Sequence, residues 1–209
     1  MKKYLDKLKK NIIVNKKMIV FFGTLIITGI VAGSLFGIII KGNDKSLVSE
    51  YINTFFNNIN NNGINYVTSF INSIISNFVF ILIIWILGIS IIGCPITIFM
   101  YFSKAFSLGF TIASLIVNYN IKGVLYAIIY IIPSQIFFIL GYTLLMIYSV
   151  SLSLKLCISI IKKKSIDFKY IMNRYLIILL IACILIVIGS LFESFVMPYL
   201  LKFILSILK

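Results

Sequence analysis

Between Met18 and Ile40 the chain runs about 23 residues without a charge, bounded by Lys17 and Lys41. At about 1.5 Å of helical rise per residue, such a run matches the hydrocarbon thickness of a bilayer. Four further apolar runs follow, at 78–102, 105–121, 124–154 and 175–197. Of the 209 residues, 61% are hydrophobic and 11% charged. A soluble domain of this size cannot bury so much apolar surface, and a disordered chain is poor in it. The expectation is an all-α, polytopic integral membrane helical bundle. It has about five transmembrane helices in a single membrane domain over 1–209.

Charge placement orients that bundle. Lys and Arg number 19 against 5 Asp and Glu, and most of the basic residues cluster beside apolar runs. With five spans and the N-terminus inside, 14 Lys/Arg fall on inner segments and 5 on outer ones. This is the positive-inside pattern and predicts an N-in, C-out topology with anionic lipid as a contact. The same clustering argues against nucleic acid as a partner. The first run is longer than a signal-peptide core and no A-x-A-like site follows it, so it reads as a retained span.

The segments between the runs differ in kind. Residues 1–17 carry Met1, Tyr4, Leu5, Leu8 and Ile12 at helical spacing among lysines. They read as a basic amphipathic helix on the inner surface. Residues 41–77 carry two apolar stripes, Leu47 to Ile59 and Val67 to Ile75, around an Asn-rich break ending at Gly63. They read as an outer amphipathic helical hairpin. Ser103-Lys104 reads as a short inner turn and Lys122-Gly123 as an outer one. Pro133 should kink or split the long run 124–154. Residues 155–174 form a basic inner loop, and 198–209 an interfacial tail whose Lys202, Ser206 and Lys209 share one face.

Few residues offer chemistry. There is no His, which removes His-based triads and HExxH zinc sites. Cys94, Cys157 and Cys183 form no CxxC pair and read as small packing residues. Glu193 is the lone acid within a span; it is either a polar clamp or protonatable site, or an interfacial residue reaching water. Lys104 and Lys122 read as snorkelling residues that set the register of a short third span. Ser103 adjoins Lys104, but neighbours on a helix do not face each other, so no Ser–Lys dyad is supported. Gln135, beside Pro133, can satisfy a carbonyl freed by the kink or bond a neighbouring helix. Gly29, Gly33 and Gly37 recur every four residues, and Gly88, Gly93 and Gly109 add further points for close helix approach. No phosphate-cradling loop is present. No catalytic residue, metal or cofactor is expected, and the chain reads as a non-enzyme.

The ordered set of these residues resembles the stage II sporulation protein M family. The run LIIWILGISIIGCPITIFMYFSKAFSLGFTIASL (82–115) carries Trp85, Gly88, Ser90, Gly93, Pro95, Lys104, Phe106, Gly109, Phe110 and Thr111. These match the family's tryptophan, its GxSxxGxP segment and its basic residue ahead of a GF…GFT segment. Lys122, Gly123 and Pro133 match its Lys-Gly and Pro-Gln-Asn segments, and Glu193 and Pro198 its terminal Glu…Pro pattern. Ala105 stands where the family often has Gly, Ala113-Ser114 replaces Gly-Phe, and Ser134-Gln135 replaces Gln-Asn. The resemblance implies a membrane scaffold for engulfment during endospore formation, in the septal or engulfing membrane of the mother cell. Its implied partners are the peptidoglycan-degrading stage II sporulation proteins D and P. A homo-oligomer is also among the expected partners. The competing expectation, from the residues alone, is a permease-like subunit of a multicomponent transporter, with 122–143 lining a path and Glu193 near its mouth.

Overall fold

The structure is a computed structural model that describes the backbone of residues 2–60, 65–163 and 168–207, and the side chains of 16–59, 65–163 and 168–202. The described residues form seven α-helices: α1 (Lys2–Ile39), α2 (Gly42–Asn60), α3 (Tyr66–Gly88), α4 (Gly93–Tyr126), α5 (Ile132–Lys162), α6 (Phe168–Leu191) and α7 (Met197–Ile207). Among the described residues two π-helical turns, Ala127–Ile131 and Phe192–Val196, join α4 to α5 and α6 to α7. The described residues contain no strand. The protein is therefore all-α and polytopic. The amphipathic face expected on residues 1–17 rests mainly on side chains outside the described ones; the backbone there simply continues into α1.

Among the described residues, four continuous helical stretches are long and apolar enough to cross a membrane: Lys16–Ile39, Tyr66–Gly88, Gly93–Lys162 and Phe168–Lys202. The third folds back on itself. Asn120 leaves the helix with φ 51 and ψ −127, and a Cβ at Gly123 would fall on the Leu115 carbonyl. Beyond the turn Tyr101 meets Thr143 and Cys94 meets Ser153. These pairs describe an antiparallel hairpin, so the described residues run through the bundle five times. Bulky side chains such as Ile27, Phe99, Leu180 and Ile184 stay exposed on its flanks, as a lipid-facing surface requires.

Direction follows from which residues meet. Gly29, Gly33 and Gly37 of α1 lie in the same order against Ala105, Phe106 and Ala113 of α4, so α1 and α4 run parallel. Asn77 meets Tyr142 and Ile84 meets Ser149, so α3 and α5 are parallel. Ile84 also meets Tyr175, and Ser73 meets Ser190, so α6 opposes α3. One end of the bundle gathers Lys16, Lys17, Lys155, Lys162, Lys163, Lys169 and Arg174. The other end carries Lys41, Lys45, Lys122 and Lys202 with Asp44 and Glu50.

Several boundaries differ from those the apolar runs predict. The run 78–102 is not one span: α3 stops at Gly88 and α4 starts at Gly93. Ile89 and Ser90 turn their N–H groups back to the Ile86 and Leu87 carbonyls, and a Cβ at Gly93 would overlap the Leu87 carbonyl. Ser153 donates to the freed carbonyls of Ser90 and Ile91, at 3.1 and 3.4 Å, which a helix end away from water needs. The Ser103-Lys104 turn is likewise absent. Both residues lie inside the helical run from Gly93 to Tyr119, and the third pass is this longer stretch rather than 105–121.

The outer hairpin is also redrawn. Its first helix, α2, lies across the bundle end, where Phe56 and Ile59 are buried with Leu115, Tyr126 and Leu201. Its second half is the opening of the spanning helix α3. Asn65 caps that helix by accepting from the Thr68 N–H at 3.2 Å. Pro133 and Pro198 do not break their helices. Each sits two residues beyond a π-helical turn. A proline lacks an N–H and its ring crowds the carbonyl four residues earlier; the wider π turn makes that room. Residue 198 thus continues the last pass into α7 instead of opening a separate tail. Ser206 and Lys209, the rest of the polar face expected there, lie outside the described side chains.

A candidate site in a polar cavity

A cavity of about 600 Å³ opens among α1, α3, α4, α5 and the two π-helical regions. Its α3 wall is a stripe at helical spacing: Asn65, Thr68, Ser69, Asn72, Ser73, Ser76 and Asn77. The opposite face of the same turns carries Val67, Ile71 and Ile75, all exposed on the flank. The amphipathicity is thus turned inward, with apolar residues toward lipid and polar ones toward the cavity. Phe55 and Asn58 of α2 reach over one end, while Tyr101 and Phe138 line the other. α1 packs along α4, and α3 along α5 and α6, but α1 and α3 meet at most marginally. The wall between them is the weakest part of the enclosure.

Two opposite charges face this space. Lys104 comes from the middle of α4, where its ammonium lies 5.0 Å from the Phe80 ring centre and 5.9 Å from that of Tyr142. Ring faces attract a cation without accepting a conventional hydrogen bond. Glu193 comes from the second π turn. Ser73 donates to its Oε2 at 2.5 Å, and the Ser190 hydroxyl lies 3.1 Å from that of Ser73. Asn77 bonds the Ser73 carbonyl at 2.8 Å and accepts from the Tyr142 hydroxyl. A chain of polar groups therefore runs from Tyr142 through Asn77 and Ser73 to Glu193. Lys104 and Glu193 attract one another through charge, whereas Glu193 takes its side-chain hydrogen bond from Ser73. Buried groups of this kind survive only when each is paired or solvated.

The structure sorts the residues singled out by sequence into separate places. Lys104, Gln135, Glu193 and Pro198 converge on the cavity. The expected surface role of Lys104 is overturned, because the chain break falls at 89–92 and leaves Lys104 mid-helix. Gly29, Gly33 and Gly37 instead form the α1–α4 seam with Gly109, where a Cβ at Gly33 would enter the Phe106 carbonyl and one at Gly109 the Ile30 carbonyl. Ser34 donates to the Gly109 carbonyl at 3.1 Å. Ala105 and Ala113 complete the matching small-residue row on α4.

Trp85, Gly88, Gly93 and Pro95 sit toward the basic end, away from the cavity. Trp85 stacks on Tyr175 with centroids 5.9 Å apart, and Gly88 leaves room for the Ser149 and Tyr175 hydroxyls. Pro95 lies in the first turn of α4, where its missing N–H has no helical carbonyl to lose. Lys122 and Gly123 follow the Asn120 turn, and Pro133 follows the first π turn. The residues that sequence reading missed are the polar stripe of α3 and the tyrosines Tyr101, Tyr130 and Tyr142. The stripe was visible in the spacing, but its polar face reads equally well as water-facing.

Fold and site together define a polytopic α-helical membrane protein with a charged, hydroxyl- and amide-lined cavity. A family model described as Stage II sporulation protein M matches residues 18–198. The chain belongs to that family, and is a sporulation-related membrane protein. No curated protein and no solved structure matches it.

Proposed function

We propose that this protein is a non-enzymatic membrane scaffold for engulfment, holding the peptidoglycan-degrading stage II sporulation proteins D and P in the mother-cell membrane. Membership of the family over residues 18–198 is the observation that carries the reading. With the basic end inside, as the positive-inside rule favours, the N-terminus is cytoplasmic and α2 and α7 lie outside, where the wall is. There α2 exposes Leu47 and Tyr51, the latter 78% accessible, beside its acidic residues. Such a face suits a protein partner better than open water. Deletion of the gene in a spore-forming host, followed by membrane imaging, tests the proposal. Stalled engulfment with mislocalised wall hydrolases is the expected result; normal engulfment with normally placed hydrolases contradicts it.

The polar cavity favours a second reading, a permease-like subunit of a multicomponent transporter, since paired charges inside a membrane commonly mark a solute path. Purification with native partners separates the two. Wall hydrolases in the complex support the scaffold, and an ATPase supports transport.

A further inference from the structure

We propose that the cavity binds a zwitterion, a ligand with an ammonium and an anionic group on a hydrogen-bonding body, its ammonium at Glu193 and its anion at Lys104. This goes beyond the scaffold reading and does not depend on it. Oppositely charged side chains inside a bundle gain most by closing into a hydrogen-bonded contact pair. Here they are held apart by separate supports. Lys104 rests against Phe80 and Tyr142, and Glu193 is held by Ser73 through Oε2. Among the described residues, Oε1 of Glu193 accepts no side-chain hydrogen bond, and the Lys104 ammonium has ring faces rather than oxygen acceptors. Each charge therefore keeps hydrogen-bonding capacity beside the cavity that both residues line.

The walls supply the rest of the recognition. A cavity of about 600 Å³ falls within the range of small-ligand sites, roughly 300–1,000 Å³. Thr68, Asn72, Ser76 and Gln135 present donors and acceptors suited to a polar body. A purely anionic ligand would meet the Glu193 carboxylate, and a purely cationic one the Lys104 ammonium, so both are disfavoured. Two sources offer the right chemistry. A free amino acid or short peptide can enter past Asn58 and Asn65 from the aqueous end. A zwitterionic lipid headgroup can enter sideways where α1 and α3 scarcely meet.

The test uses the purified full chain in detergent, with thermal unfolding as the readout. The probes are glycylglycine, its N-acetylated and C-amidated form, phosphatidylethanolamine and phosphatidylglycerol. The proposal expects a saturable rise in unfolding temperature with glycylglycine, with phosphatidylethanolamine, or with both. It expects at least tenfold weaker apparent binding for the capped dipeptide and for phosphatidylglycerol. A response to glycylglycine identifies an aqueous ligand, and one to phosphatidylethanolamine alone a lipid. In Glu193→Gln and in the milder Ser73→Ala, the preference for a free ammonium should fall. No saturable response to either zwitterion overturns the proposal, as does an equal response to the capped or purely anionic probes. The comparison between probes requires no variant to fold.

Discussion

Lys104 and Glu193, 89 positions apart in the chain, face one another across a single cavity inside the helical bundle. One projects from the middle of α4 and the other from a π-helical turn. Their attraction links helices that share few other polar contacts there. Lys104→Met and Glu193→Gln should each destabilise the protein in detergent, by about 1–3 kcal/mol, because each leaves the other charge without its counterion. The double variant should be less destabilised than the two singles added, with a coupling of about 1 kcal/mol. Thermal unfolding of the four proteins measures this; strict additivity would show the charges to be independent.

The α1–α4 seam makes a sharper distinction among glycines. Gly33→Ala places a methyl on the Phe106 backbone and should destabilise by about 1–3 kcal/mol. Gly23→Ala, on the same helix, meets nothing within 4 Å and should be neutral or slightly stabilising. Larger changes extend the series: Gly33→Leu and Gly93→Leu should lose far more detergent stability than Cys94→Ala. Equal unfolding temperatures across the series would contradict the close approach of these helices.

Trp85 and Tyr175 stack on each other but differ in their polar atoms. Trp85 Nε1 is buried and has no hydrogen-bond partner among the described residues, whereas the Tyr175 hydroxyl donates to the Trp85 carbonyl at 3.1 Å. Trp85→Phe removes an unsatisfied donor along with some packing, so its net effect should stay within about 1 kcal/mol. Tyr175→Phe loses a made bond and should be destabilising by about 0.5–1.5 kcal/mol. Urea or thermal unfolding of both variants measures this, and a loss for Trp85→Phe well above about 1 kcal/mol would mean that the indole N–H has a partner.

Much of this architecture was legible in the chain. Apolar runs bounded by lysines identify a helical membrane protein, and the glycines at 29, 33 and 37 mark a seam that the structure places against α4. The site was harder to read. A lysine next to a serine resembles a surface turn, and only the tight Gly88–Gly93 return shows that Lys104 lies well inside the next helix. The stripe from Asn65 to Asn77 has the same periodicity whether it faces water, a partner or a cavity. Tertiary packing decides which, and no local pattern reports it. The π turns ahead of Pro133 and Pro198 were equally hidden, since a proline predicts disturbance without stating whether the helix breaks or widens.

The polar stripe of α3 lines the cavity within the bundle and is thereby open to water. Single cysteines placed from 65 to 77, in a background lacking Cys94, Cys157 and Cys183, test it through labelling by a small hydrophilic thiol reagent in membranes. Strong labelling is expected at 65, 68, 69, 72 and 76 and weak labelling at 67, 71 and 75, which lipid protects. Labelling that is uniform along the segment, as for a helix lying on the surface, would contradict it.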